Sequence, residues 1–402
     1  MLDAIWSNIL FVLQHYQPKR RLACFAQLIE STSKKSKLKS SKLLSNLMSA
    51  SVGKSDWKIL TENPNARVTG VQESLLQESE KDVLWYRDNF LGKVHQNYLA
   101  PDSPRGPLAI SLAKDGTIYK ALIRSNLGTE RLSVAIVKVQ RSTMRKLFGL
   151  SPTLENIISS MGYTVPSHFL KLCKDSSLPS ELLSMEERQV IRSYKFGVEY
   201  ISSGQTTEEH ALCNTHENAS PAYKKFLTFL GETIELSGWR GYRAGLDVSG
   251  ANNTGIQSVY TKWQGYEIMY HVATLLPHKP EDKQQLERKR HIGNDIVMII
   301  FQDEKTAFDL SSITSHQNHV VALVTPEEEG YRIQIASKAG VPSFLPEIPD
   351  PPLIQMDAMS RDFFLHKLVN AERASYKAPS FAPKLSRTRS VLLYDIAVKF
   401  LG

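Results

Sequence analysis

Cysteine is scarce in this chain: three in 402 residues, Cys24, Cys173 and Cys213, all far apart. They form no C-x-x-C pair and have no neighbouring histidine pattern, which argues against a disulfide framework or a structural zinc site and favours a reducing, cytosolic setting. Long apolar runs are also missing. None approaches the roughly 20 residues that a membrane-spanning helix needs, and the opening MLDAIWSNILFVL carries Asp3 where a secretory signal carries positive charge. Neither a membrane span nor secretion is expected. There is no G-x-S-x-G elbow, no H-E-x-x-H pair and no repeat of fixed period. Gly53-Lys54-Ser55 ends like a phosphate-binding loop, yet Met48 stands where that loop needs its first glycine. The common hydrolase and nucleotide-binding signatures are therefore absent, and no metal or cofactor of the chain's own is expected.

Charge of one sign is abundant, but only locally. The net charge is +8, and residues 1–58 hold ten Lys/Arg against Asp3, Glu30 and Asp56, which is +7. The rest of the chain therefore carries only +1, too little for a body-wide phosphate-binding face, so no nucleic-acid partner is expected. Within this segment, STSKKSKLKSSKLLSNLMSASVGKS (31–55) is Ser/Lys-dominated and reads as a disordered linker. Before it, Ile5, Trp6, Ile9, Leu10 and Leu13 recur at helical spacing, which suits a short amphipathic helix that docks on the body, a partner or a membrane surface. Residues 17–58 offer a basic contact for an anionic membrane, making the expected location cytoplasmic and membrane-peripheral.

With 42% apolar and 22% charged residues, the remainder has an ordinary globular composition. Residues 59–79 read as a linker. Alternating runs LAISLA and IYKALI around Asp115-Gly116 signal a β-hairpin. YKFGVEYI (194–201) reads as a strand, and Ser220-Pro221 opens a helix that Gly231 closes. IQSVYTKW and YEIMYHVATLL flank Gln264-Gly265, and the apolar runs 296–301, 319–324 and 331–336 read as further strands. Residues 361–376 and 389–400 have helical periodicity. This order of elements predicts an α/β or α+β fold, with helices on the faces of a sheet.

The informative stretch is PEDKQQLERKRHIGNDIVMIIFQ (280–302). Pro280, early acids and late bases predict a helix, and because Leu286 is its only aliphatic residue the helix is either a solvated strut or a surface offered to a partner. Gly293 breaks it, leaving Asn294 at a junction before an apolar strand. Gly-Asn-Asp is also ordinary turn chemistry.

The run RKRHIGNDIV (288–297) resembles the signature of the Rap/Ran-GAP domain of proteins that activate small Ras-like GTPases. FGVEYISSGQTTEEH (196–210), GYRAGLDVSGANNTGIQSVYT (241–261) and YEIMYHVATLLPHKPEDKQQL (266–286) resemble it in the same order. The resemblance implies an α/β catalytic subdomain over 192–400, preceded by a smaller α/β subdomain over 80–191 that relatives use for homodimerisation. It also implies an asparagine thumb, falling here on Asn294, whose carboxamide takes the water-orienting role of the glutamine that Rap-type GTPases lack. An amide has both a donor and an acceptor, so it can hold a water in line with the γ-phosphate without a proton change. GTP and Mg²⁺ would come with the partner GTPase.

By the same resemblance, His291 matches a position needed for activity, with a structural hydrogen bond as its plain alternative. Lys289 and Arg290 match basic positions that face the partner, with helix-dipole complementation as theirs. Arg288 has no assigned role, and Asp295 reads as structural. Two departures stand out. Gln317 in SHQNH (315–319) replaces the usual aromatic, which implies weaker docking or a shifted choice of partner. VPSFLPEIP (341–349) carries Leu345 and Glu347 for a glycine and a proline. The expected function is a GTPase activator, and the alternative is a catalytically weak binding or scaffolding module with the same fold.

Overall fold

The computed structural model describes residues 56–71, 75–140, 147–305 and 308–402. The amphipathic stretch at 5–13 and the Ser/Lys tract lie outside them. No described helix is long and apolar enough to cross a membrane.

Two sheets organise the chain from Trp57 onward. Strands β3 (Gln96–Ala100), β4 (Leu108–Asp115), β5 (Ile118–Ser125), β6 (Gly128–Ala135) and β7 (Lys171–Cys173) form an antiparallel sheet in the order β6-β5-β4-β3-β7. Its hairpin turns at Asp115-Gly116, as the sequence predicts, with Gly116 at φ 55°. Both faces are apolar because β4 is buried on both sides: Leu108, Ile110 and Leu112 pack with Ile157, Ile158 and Tyr163, while Ala109 and Ala113 face the helices. Those helices are α1 (Glu78–Asn89), α3 (Leu178–Glu187) and the C-terminal α8 (Ala382–Leu401), and α2 (Leu154–Ser160) lies on the opposite face. Arg124 is buried between β4 and α3 and donates to Glu186 at 3.1 Å and Ser111 at 3.0 Å. Arg389 of α8 donates to the Ser125 carbonyl at 2.7 Å, so the end of the chain returns to the first sheet.

The larger sheet has the order β1-β14-β13-β12-β8-β11-β10-β9, with β16 on β14. Its strands are β1 (Trp57–Ile59), β8 (Ser193–Ile201), β9 (Glu232–Glu235), β10 (Gln257–Trp263), β11 (Tyr266–Val272), β12 (Val297–Gln302), β13 (Val320–Glu327), β14 (Gly330–Lys338) and β16 (Leu353–Gln355); β2 (Glu62–Asn63) and β15 (Ile348–Pro349) pair separately. The four strands β11, β8, β12 and β13 run parallel. Helices cover both faces, so β12 is buried at all six positions and reads VMIIFQ rather than alternating. On one face lie α5 (Pro221–Leu230) and α7 (Ala358–Ser375), which bring Phe226, Phe229, Phe363 and Phe364 onto Phe301 and Ile333. Each such fully buried side chain contributes about 1.5–3 kcal/mol. The other face carries α4 (Glu208–Cys213), α6 (Leu286–Ile292) and the 236–246 loop.

Local chemistry accounts for the borders. Ser220 caps α5 by accepting from the Tyr223 amide at 3.1 Å, and Pro221 occupies its first turn. Gly231 closes α5 in extended backbone; a Cβ there would sit 2.3 Å from the Tyr260 carbonyl oxygen, so the glycine serves close approach to β10. In the β10–β11 hairpin both loop residues, Gln264 and Gly265, have positive φ, which matches the strand twist.

Two expectations about the elements fail. Residues 59–79, read as a linker, instead supply the end of β1 and all of β2, and pack Leu60, Val68, Val71 and Leu75 against the core of the large sheet. The helix predicted from Pro280 starts only at Leu286. Gln285 is buried with φ 46°, and its amide ties the preceding segment into a turn by accepting from the Lys279 amide (3.1 Å) and donating to the Lys279 and Asp282 carbonyls (2.5 Å each). The Asp282 carboxylate then caps the helix from outside by accepting from Leu286 N at 2.8 Å. The acids read as first-turn residues therefore lie in a turn.

Candidate functional site

Strand register puts the start of β8, β12 and β13 and the end of β14 at one edge of the large sheet. Helix α6 descends one face and delivers Gly293-Asn294-Asp295 to that edge. Gly293 is required there, because a Cβ would sit 2.6 Å from the Lys289 carbonyl.

The helix is less solvated than its composition suggests. Arg288, 2% exposed, points inward and donates to the carbonyls of Leu212 (2.8 Å), Asn214 (2.6 Å), Leu276 (2.8 Å) and Pro277 (3.2 Å). Burial lowers its pKa to about 10, so it remains cationic at neutral pH. Ile292 joins the core. The residue with no assigned role is thus the anchor of the helix, and the picture of a strut or wholly exposed surface does not hold.

Lys289 and Arg290 diverge. Lys289 turns to the body and pairs at 3.1 Å with Glu208, a buried carboxylate. Glu208 in turn neighbours Glu199, whose pKa is raised well above the usual range, first by burial and then by the Glu208 charge, with Lys289 opposing. Arg290 points outward, and among the described residues its one ion pair is with Glu287, at 2.8 Å on the same helix. His291 is half-buried with its ring edge-on to His271, centroids 5.5 Å apart. Burial lowers its pKa, helped by the neighbouring His271 and Arg290, which favours the neutral ring.

Asn294 is exposed, and its carboxamide has a defined orientation. Nδ2 donates to the Arg290 carbonyl at 2.8 Å, which faces Oδ1 away from the helix, and Oδ1 has no hydrogen-bond partner among the described residues. Lys195 from β8 donates to the Asn294 carbonyl oxygen and to Asp295 Oδ1, both at 2.6 Å. Asp295 is fully buried, and Asn318 donates to its carbonyl at 2.6 Å and to that of Ile292 at 3.1 Å. The asparagine is therefore an exposed, oriented donor and acceptor on an immobilised base.

The 315–319 loop lies against this junction. Ser315 Oγ donates to the Gly293 carbonyl at 2.5 Å and accepts from the Gln317 amide at 3.1 Å. Gln317 is exposed there, so the structure brings together the loops of Gln317 and Asn294 and leaves Arg290 nearby on the outer face. Lys195, His271, Glu199, Glu208 and Asn318 did not emerge from the sequence as site residues. For Lys195, Glu199 and His271 the available signal was a polar residue breaking an otherwise apolar strand, as in YKFGVEYI and YEIMYHV; Glu208, at the start of α4, and Asn318, in the loop before β13, carried no such signal.

A family model described as Rap/ran-GAP matches residues 211–390. Among curated proteins, GTPase-activating Rap/Ran-GAP domain-like protein 3 of Danio rerio is 39% identical over 332 residues, covering 80% of this chain and 31% of that protein. Signal-induced proliferation-associated 1-like protein 2 of Homo sapiens is 35% identical over 371 residues, covering 87% of this chain and 21% of that protein. The chain thus spans about a third or less of the length of these relatives. Among solved structures, that of the TSC2 GAP domain matches with a TM-score of 0.37 and 28% identity, covering 50% of this chain and 96% of that one.

Proposed function

The chain carries a Rap/Ran-GAP domain, and on that premise we propose that it activates a small GTPase of the Rap type by lending Asn294 to the partner's active site. The partner brings GTP and Mg²⁺. This chain brings a carboxamide that holds the attacking water in line with the γ-phosphate, its oxygen accepting from the water and its position set from behind. Most of the catalytic effect in phosphoryl transfer is positioning and electrostatics, so a fixed base under the amide is what the chemistry requires. The observation that carries the reading is the Asn294 side chain itself: exposed, anchored through Nδ2 to the Arg290 carbonyl, with Oδ1 free of described partners. His291 belongs to the support of this helix, as a neutral ring against His271. Arg290 and Gln317 are the partner-facing groups, and Lys289 serves them from inside by fixing the helix to Glu208.

The test is single-turnover GTP hydrolysis by Rap, Ral, Rheb and Ran proteins with and without the purified chain. Acceleration of a Rap protein supports the proposal; binding without acceleration of any of them supports the alternative, a docking or scaffolding module. Gln317, exposed where relatives have an aromatic, is the observation favouring that alternative. Homodimerisation through residues 80–191 is part of the same proposal, supported by the exposed Leu127, Val137 and Phe148, and is read by sedimentation. So is a cytoplasmic, membrane-peripheral location through residues 17–58.

A further inference from the structure

His271, on β11, is 2% exposed, and both of its ring nitrogens face acceptors. Nδ1 lies 2.9 Å from Asp295 Oδ2 and Nε2 lies 3.0 Å from the Ala244 carbonyl oxygen. A carbonyl cannot donate, and the other Asp295 oxygen already accepts from the Lys195 ammonium at 2.6 Å. A neutral ring has one N–H and would press an imidazole lone pair against an acceptor lone pair in a dry site. Only the imidazolium satisfies both contacts. The charges around it accommodate this form: Asp295 is in direct contact, the half-buried His291 ring is edge-on, and the buried Glu372 and Tyr242 sense the same Asp295 charge. Gly197, paired with His271 in the sheet, leaves the space, since a Cβ there would sit 3.2 Å from Asp295 Oδ2.

The two contacts lead to different places. Asp295 follows Asn294 directly, and Lys195 bridges the Asp295 carboxylate to the Asn294 carbonyl. Ala244 sits in the 239–246 loop with φ 51°, followed by Gly245 at φ 86°. A left-handed alanine is strained and persists where its surroundings hold it. Besides His271, the loop is held by the Tyr242 amide donating to Glu267 at 3.2 Å and by Trp239 packed on Tyr260, and it carries the exposed Arg240 and Arg243.

We propose that His271 is a positioning residue whose doubly protonated ring clamps the Arg240/Arg243 loop to the base of Asn294, so that one side chain sets both the thumb and an adjoining basic surface for the acidic face of the GTPase. The proposal rests on the GTPase-activator reading, and it makes the two halves of the clamp separable. His271→Gln keeps a donor at the Nε2 position, toward Ala244, and loses the donor to Asp295. His271→Asn keeps a donor at the Nδ1 position and loses the loop contact.

In single-turnover hydrolysis titrated with the full chain, His271→Gln should lower the saturating rate roughly tenfold with the half-saturating concentration within about twofold of the parent. His271→Asn should raise the half-saturating concentration roughly tenfold and hold the rate within about threefold. A proportional loss of both parameters in both variants, or no change in either, overturns the proposal. Nitrogen-15 histidine spectra of the unaltered chain provide a readout that needs neither variant folding nor any GTPase. Two protonated ring nitrogens at His271 support the clamp, and a single protonated nitrogen overturns it. A chain that accelerates no GTPase while showing the doubly protonated ring would sink the activator reading and leave the clamp geometry standing.

Discussion

Replacing Arg288 by alanine should be among the most damaging single changes near the site, although it touches no partner. The guanidinium donates to four main-chain carbonyls: Leu212 and Asn214 at the end of α4, and Leu276 and Pro277 in the segment after β11. Each carbonyl left buried without a donor costs about 1–3 kcal/mol, and water entering the vacated volume recovers part of it, so a net loss of about 3–5 kcal/mol is expected. In a chain of this size that lowers Tm by about 4–6 °C. Arg288→Lys should recover less than half, because a single ammonium cannot span four acceptors in the geometry of the planar fork. Urea unfolding monitored by circular dichroism measures the effect. The reasoning predicts a lower midpoint at an unchanged slope, since a changed slope would mean a different denatured state. An Arg288→Ala protein within about 1 kcal/mol of the parent would refute it, and would mean that the four carbonyls find other donors.

Lys289→Ala should destabilise the fold by about 2–4 kcal/mol, because it leaves the buried Glu208 without its cation. Arg290→Ala should cost under about 0.5 kcal/mol and instead weaken GTPase binding and reduce its salt dependence, as rim charges do; binding titrations at two ionic strengths and thermal melts separate the pair. Glu372, held up to about 7 against an ordinary 4.5 chiefly by burial, binds its proton more tightly folded than unfolded. Its share of stability is therefore complete at acid pH and is lost as pH rises from about 4.5 toward about 7, so melts of Glu372→Gln should be flatter over that window than those of the parent. Deleting residues 1–55 should leave stability and stimulation in solution unchanged while weakening binding to anionic vesicles in a sedimentation assay. The cut stops there because Trp57 and Ile59 pair with β14 and the Lys338 ammonium lies 5.3 Å over the Trp57 ring.

What the residues announced, and what they concealed, follows from the range of the interactions. Turns and caps are local, so Asp115-Gly116, Ser220-Pro221 and Gln264-Gly265 were legible, as was the apolar β12 between two helical layers. The start of α6 was not, because the Gln285 amide overrides a sequence that is otherwise good helix material. Arg288 looked like one more cation on a polar helix; its carbonyl partners come from 212–214 and 276–277, which no pattern within the helix reveals. The same holds for the division of labour between Lys289 and Arg290, which depends on where α4 places Glu208. Composition placed Asn294 at a junction between a helix end and a buried strand, where it reads as a turn residue, and only the resemblance of RKRHIGND singled it out; Lys195 and His271, which hold its base, come from strands paired with one another far upstream.

Asn294→Ala is the most direct probe of the thumb. Its side chain is exposed and makes one described hydrogen bond, so the melt should match the parent closely. If the amide orients the attacking water, single-turnover GTP hydrolysis by a Rap protein at saturating activator should fall by roughly 10²-fold or more, the scale of losing one preorganised transition-state group. A folded Asn294→Ala chain that still stimulates hydrolysis at near the parental rate would contradict the mechanism outright.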